Sequence, residues 1–72
     1  MQNEIDTTIQ GAYKLIRLTN EILSIIEQLA DIHSTNPDKM VQKLGNLNKD
    51  LLDKVKDLNS NLTDFSTRTE YI

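Results

Sequence analysis

The sequence predicts an all-α fold: an antiparallel two-helix hairpin of coiled-coil type, completed into a helical bundle by further copies of the chain or by a partner. Three observations carry the prediction. Two stretches of about thirty residues repeat apolar side chains every three or four positions. The octet "HSTNPDKM" at 33–40 lies between them with the chemistry of a helix start. The first stretch carries more apolar surface than one neighbouring helix can cover.

Helix 1 is expected from about residue 4 to 33. Asn3 suits the N-cap, and Glu4 and Asp6 fall where the helix dipole favours negative charge. Gly11 costs ~1 kcal/mol relative to alanine in a helix interior. It reads either as a glycine tolerated near a helix end or as a point of close backbone approach.

The turn is expected at 34–36. The ring of Pro37 holds Asn36 out of the α region, while proline itself suits the first helical position. Asn36 is therefore the N-cap and Pro37 the N1 residue of helix 2, and the Asn36 side-chain oxygen can accept from the amides of Asp38 or Lys39. Helix 2 is expected from about 37 to 66. The closing stretch "STRTEYI" has weak helix propensity, so residues 67–72 are expected to fray. The whole chain, 1–72, forms one helical-hairpin domain.

At 1.5 Å per residue each helix is roughly 45 Å long, and the short link aligns them over their full length. An antiparallel register in which paired numbers sum to about 70 sets Ile26 against Leu44, Leu23 against Leu47, Ile16 against Val55, Ala12 against Leu58, Ile9 against Leu62 and Ile5 against Phe65. The hairpin seam so assigned consists of Ile9, Ile16, Leu23 and Ile26 with Leu44, Leu47, Leu51, Val55, Leu58 and Leu62. Helix 1 carries a second row, Leu15, Leu18, Ile22, Ile25, Leu29 and Ile32, and the two rows together cover roughly 200° of its circumference. Either row fits the register against helix 2; the second is assigned as the interaction face. Whichever is left over exposes a contiguous aliphatic patch, which marks an association surface.

Composition narrows the function. Seventy-two residues with no cysteine and one histidine exclude disulfide staples and cysteine-based zinc sites, so stability must come from regular helix packing or association. No apolar run approaches the ~20 residues that span a bilayer, so no membrane insertion is expected. The opening "MQNEID" has neither the basic start nor the apolar middle of a secretory signal, which predicts a cytoplasmic protein or export by a route independent of that signal. A net charge of −3 disfavours nucleic acid as the main partner.

Individual polar residues read as structural. His33 ends helix 1, where a cation suits the dipole and its ring can bond the last carbonyls; no second histidine shares a metal with it. The charges from Lys49 to Asp57 read as a solvated face with Asp50 and Lys54 as an i,i+4 pair. Asn61-Leu62-Thr63 matches the glycosylation sequon by chance, with Leu62 assigned to the seam. Glu21, Glu27 and Asp31 lie on a polar arc without a pocket, which gives paired-carboxylate catalysis no support. No enzyme activity, cofactor or metal is expected.

The stretch "NPDKM", with the residues around it from 33 to 44 and the total length, resembles the small needle subunits of bacterial type III secretion systems. That resemblance implies a helical hairpin that polymerises as a structural subunit. The residues themselves point first to a non-enzymatic protein-protein interaction module, a subunit, adaptor, small chaperone or inhibitor that binds itself or a larger protein. A third class, a dimeric hairpin that binds nucleic acid through Lys14 and Arg17, has no concentrated basic stripe behind it.

Overall fold

The computed structural model describes residues 2–71 and shows two long helices folded back on one another. Helix α1 spans Gln2–Ala30, and helix α2 spans Pro37–Glu70. Between them lies a short 3-10 turn, Ile32–Ser34. The hairpin is a rod whose Cα atoms extend 56 × 15 × 13 Å.

Helix α2 starts as its sequence dictates. The Asn36 side-chain oxygen accepts from the Asp38 amide at 3.1 Å, Pro37 occupies the first turn, and Asp38 adds negative charge there. Four boundaries differ from the sequence reading. Asn3 is inside α1 rather than its cap: its carbonyl accepts from Thr7 Oγ1 at 2.8 Å as well as serving the helix. Helix α1 stops at Ala30 rather than 33, because the chain tightens into 3-10 geometry and Ser34 Oγ donates to the Asp31 carbonyl at 2.9 Å. The connection therefore covers 31–36 rather than 34–36. The expected frayed tail is helical through Glu70; the hydroxyls of Thr67 and Thr69 back-bond to Thr63 and Ser66, and Arg68 pairs with Asp64 at 3.4 Å. Of that tail, Ile72 lies outside the described residues.

The register also differs. Glu21 meets Lys54, and a Cβ at Gly11 would lie 3.4 Å from Phe65 Cδ2, so paired numbers sum to 75 and 76 rather than about 70. Half of those sums falls at the start of α2, so the chain keeps rising along the rod from Ala30 to Asn36 and turns back only where α2 begins at Pro37. Gly11 is thus a point of close approach, and Gly11 rather than Ile5 is the neighbour of the Phe65 ring.

The row facing α2 is the one assigned to the interaction face. Leu18 and Ile25 are 3% and 4% exposed, and Leu15, Ile22, Leu29 and Ile32 are half-buried beside them. Ile9, Ile16, Leu23 and Ile26, assigned to the seam, are exposed. Spacing explains the choice. Residues 15, 18, 22, 25, 29 and 32 alternate steps of three and four, the seven-residue repeat of a coiled-coil seam, which keeps large side chains against a partner helix without a gap. The other row is interrupted by Ala12, Thr19 and Ala30. On α2, Leu47, Leu51 and Leu58 are half-buried in the seam as assigned, joined by Met40, Phe65 and the stems of Lys54 and Asn61. Leu44 keeps a seam position beyond the end of α1 and is 38% exposed, while Val55 and Leu62 step off the seam and are exposed.

Thr8 continues the α1 seam towards the chain ends, buried, with its hydroxyl donating to the Glu4 carbonyl at 2.8 Å. Lys54 pairs with Glu21 on the other helix, not with Asp50. Among the described residues no buried side-chain polar atom lacks a partner, and no helix is long and apolar enough to cross a membrane.

Candidate interaction face

The two seams define two faces of the flat hairpin. On α1 the residues one position before a seam residue include Lys14, Arg17, Glu21, Ser24 and Gln28; those one position after include Ile9, Ile16, Leu23 and Ile26. On α2 the residues before are Lys39, Lys43, Asp50, Asp53, Asp57 and Asp64, and those after are Val41, Gly45, Asn48, Leu52, Val55 and Leu62. Antiparallel helices are related by a local two-fold axis normal to the plane of the hairpin. That axis maps each face onto itself, so the "after" positions of both helices share one face and the "before" positions share the other. The Glu21–Lys54 ion pair, 3.4 Å from Oε2 to Nζ, bridges the helices on the charged side.

One face is therefore apolar over both helices. Ile9, Ile16, Leu23 and Ile26 stand beside Val41, Leu52, Val55 and Leu62, with exposure ranging from 39% at Val55 to 79% at Val41. Tyr13 borders it, 64% exposed. Asp38, in the first turn of α2, is the single charge in an "after" position among the described residues. Every other Lys, Arg, Asp and Glu lies on the far face, the outer edges or the seam. Isolated exposed aliphatics are ordinary, but eight on one face of a 72-residue chain, with a single charge beside them, are not.

The sequence reading found that α1 has a surplus row and named the wrong one. The α2 half of the face does not follow from that reading, which assigns Val55 and Leu62 to the seam, whereas both are exposed. The signal available was the unbroken three-four alternation from Leu15 to Ile32, which distinguishes the true seam.

The remaining candidate residues are spread along the rod. His33 is exposed and its ring makes no hydrogen bond to the closing carbonyls of α1 among the described residues. Asn61 donates through its side-chain amide to the Asp57 carbonyl at 2.8 Å and lies half-buried at the seam. Glu27 and Asp31 stay on exposed edges, and no group of three or more His, Cys, Asp or Glu capable of holding a metal occurs among the described residues. Lys14 and Arg17 line a shallow depression with Gln10 and Tyr13, one turn from Glu21. Comparison of the chain with protein-family models, with curated proteins and with solved structures finds no match.

Proposed function

We propose that the chain is a non-enzymatic protein-protein interaction module that binds through the apolar face shared by its two helices. The observation that carries this reading is the exposed aliphatic surface, with only Asp38 charged beside it, formed by Ile9, Ile16, Leu23 and Ile26 with Val41, Leu52, Val55 and Leu62. Burying an aliphatic side chain of this kind contributes ~1.5 to 3 kcal/mol, so covering even part of the face outweighs what the hairpin's own small core supplies. A structural subunit, an adaptor, a small chaperone and an inhibitor all work in this way.

Charge distribution separates this reading from its alternatives. An open polymer of the secretion-needle type buries both sides of its subunit, and here the second side carries Lys43, Asp50, Asp57 and Asp64 in water. Nucleic acid would need a basic surface, whereas Lys14 and Arg17 share theirs with Glu21 and the aspartates of α2.

A photo-crosslinking amino acid placed at Ile16 or Leu23, and as controls at Ser24 or Asp57, tests the reading in the native host. Protein adducts are expected from the first two positions and not from the controls. Adducts confined to the control positions, or to nucleic acid, would reject it.

A further inference from the structure

We propose that the occupant of the apolar face is a second copy of this chain, with two hairpins packed face to face about a two-fold axis that crosses the helices, closing an antiparallel four-helix bundle. This rests on the interaction reading above and names its partner.

The first argument is angular. On each helix the apolar stripe on the open face is the seam stripe displaced by one residue, which is about 100° at 3.6 residues per turn. A helix at the corner of a square bundle meets its two neighbours about 90° apart. Both α1 and α2 are patterned for two neighbours, and each has only one. The two missing helices must lie on the same face and run antiparallel to each other, which is what another hairpin presents.

The second argument is self-complementarity. Let the axis pass level with Glu21 on α1 and between Asp53 and Lys54 on α2, positions that the Glu21–Lys54 pair places at one height. On α1, Ile16 then meets the partner's Ile26. On α2, Leu52 meets the partner's Val55, and Asn48 meets the partner's Asn59. The side-chain amides of both asparagines make no hydrogen bond within the described chain, although they stand among exposed aliphatics. Covered by an apolar partner they would be buried without partners; facing each other, each amide offers the other a donor and an acceptor.

Gly45 fits the same register. It lies inside α2 on the apolar face, and a Cβ there would meet nothing within 4 Å, so nothing inside the hairpin accounts for a residue that weakens the helix. In the paired hairpins it lies opposite the partner's Leu62, a hole opposite a large side chain.

Area agrees with a dimer. The face is about 35–40 Å long and two helices, roughly 20 Å, wide, or ~700–800 Å², close to the ~800 Å² per partner of a stable interface. Leu18 and Ile25 are the only buried large aliphatics among the described residues and neither is fully buried, so the hairpin's core is small, and another copy is the cover present wherever the chain is.

The test is sedimentation equilibrium of the full chain, combined with cysteine pairing in this cysteine-free sequence. Wild type is expected at twice the 8.3 kDa of one chain. An equimolar mixture of Asn48→Cys and Asn59→Cys chains should oxidise to a covalent pair, while each variant alone should not. Gly45→Leu should weaken association roughly tenfold or more, with helix content retained at concentrations high enough for the dimer still to form. A well-folded 8.3 kDa species overturns the second copy. If that monomer also brightens anilinonaphthalenesulfonate, the interaction reading survives with a different partner; if it leaves the dye dark, that reading falls as well. A dimer in which Asn48→Cys pairs with itself overturns the crossing axis, and filaments overturn the closed bundle.

Discussion

Glu21 Oε2 and Lys54 Nζ stand 3.4 Å apart across the hairpin, and this contact fixes both its register and the side on which its charges lie. The two side chains are 41% and 34% exposed, so the pair contributes little energy, ~0.2 to 1 kcal/mol for an exposed ion pair. A double-mutant cycle with Glu21→Gln and Lys54→Gln should return a coupling in that range that shrinks as salt is added. The equivalent cycle for Asp50 and Lys54, the pair expected from helical spacing, should be additive. The opposite pattern would restore the register in which paired numbers sum to about 70.

The cap of α2 gives a second prediction. Asn36→Ala removes the acceptor of the Asp38 amide and should cost roughly 1 kcal/mol, measured by urea unfolding. Binding through the apolar face should be unchanged once the loss of stability is allowed for, because Asn36 stands at the end of the rod. If this substitution or Asp38→Asn abolished association without lowering stability, the connection itself would be the functional point.

The sequence made the local chemistry legible and left the global offsets open. Asn36 before Pro37 marks a helix start because the proline ring restricts its neighbour, and no tertiary contact is needed to read it. The surplus of aliphatic residues on α1 was equally readable, since it is a count around a wheel. Which row turns inward depends on a comparison of periods: the Leu15–Ile32 row holds the seven-residue repeat without interruption, and the Ile16 row does not. The register depends on how far the chain travels between Ala30 and Pro37, and the 3-10 turn at Ile32–Ser34 has no strong sequence marker. The face on α2 is hard to read for a related reason: the seam positions there are Lys54 and Asn61, and the aliphatics Val55 and Leu62 that follow them match a seam better by residue type alone.

Gly11 and Phe65 supply a third prediction. A methyl group at position 11 would lie 3.4 Å from Phe65 Cδ2, the near limit of ordinary contact. Gly11→Ala should therefore keep much of the ~1 kcal/mol gained by replacing a helical glycine. Gly11→Leu has no room and must displace the ring, at a cost of ~1 to 3 kcal/mol. Thermal unfolding of the two variants should move in opposite directions; if both are stabilised, Phe65 does not pack over Gly11.

Three consecutive residues test the whole arrangement, because Leu23, Ser24 and Ile25 point to the apolar face, the charged face and the seam respectively. Ile25 is 4% exposed, so Ile25→Glu places a charge between the helices at a cost of several kcal/mol, and helical circular dichroism should be lost at every concentration. Ser24→Glu adds one more charge to a face that already holds many, and should change stability by no more than ~0.5 kcal/mol. Leu23→Glu separates the readings. Within a lone hairpin Leu23 is half in water and its replacement is mild. Where the apolar face is covered, the same glutamate is driven into a desolvated interface, association is lost, and helicity falls with it because the hairpin alone has little core. Wild-type helicity should then decline on dilution in parallel with the sedimenting mass. A Leu23→Glu chain as helical as wild type, with a wild type whose signal ignores dilution, would mean that the apolar face stands uncovered in the native molecule.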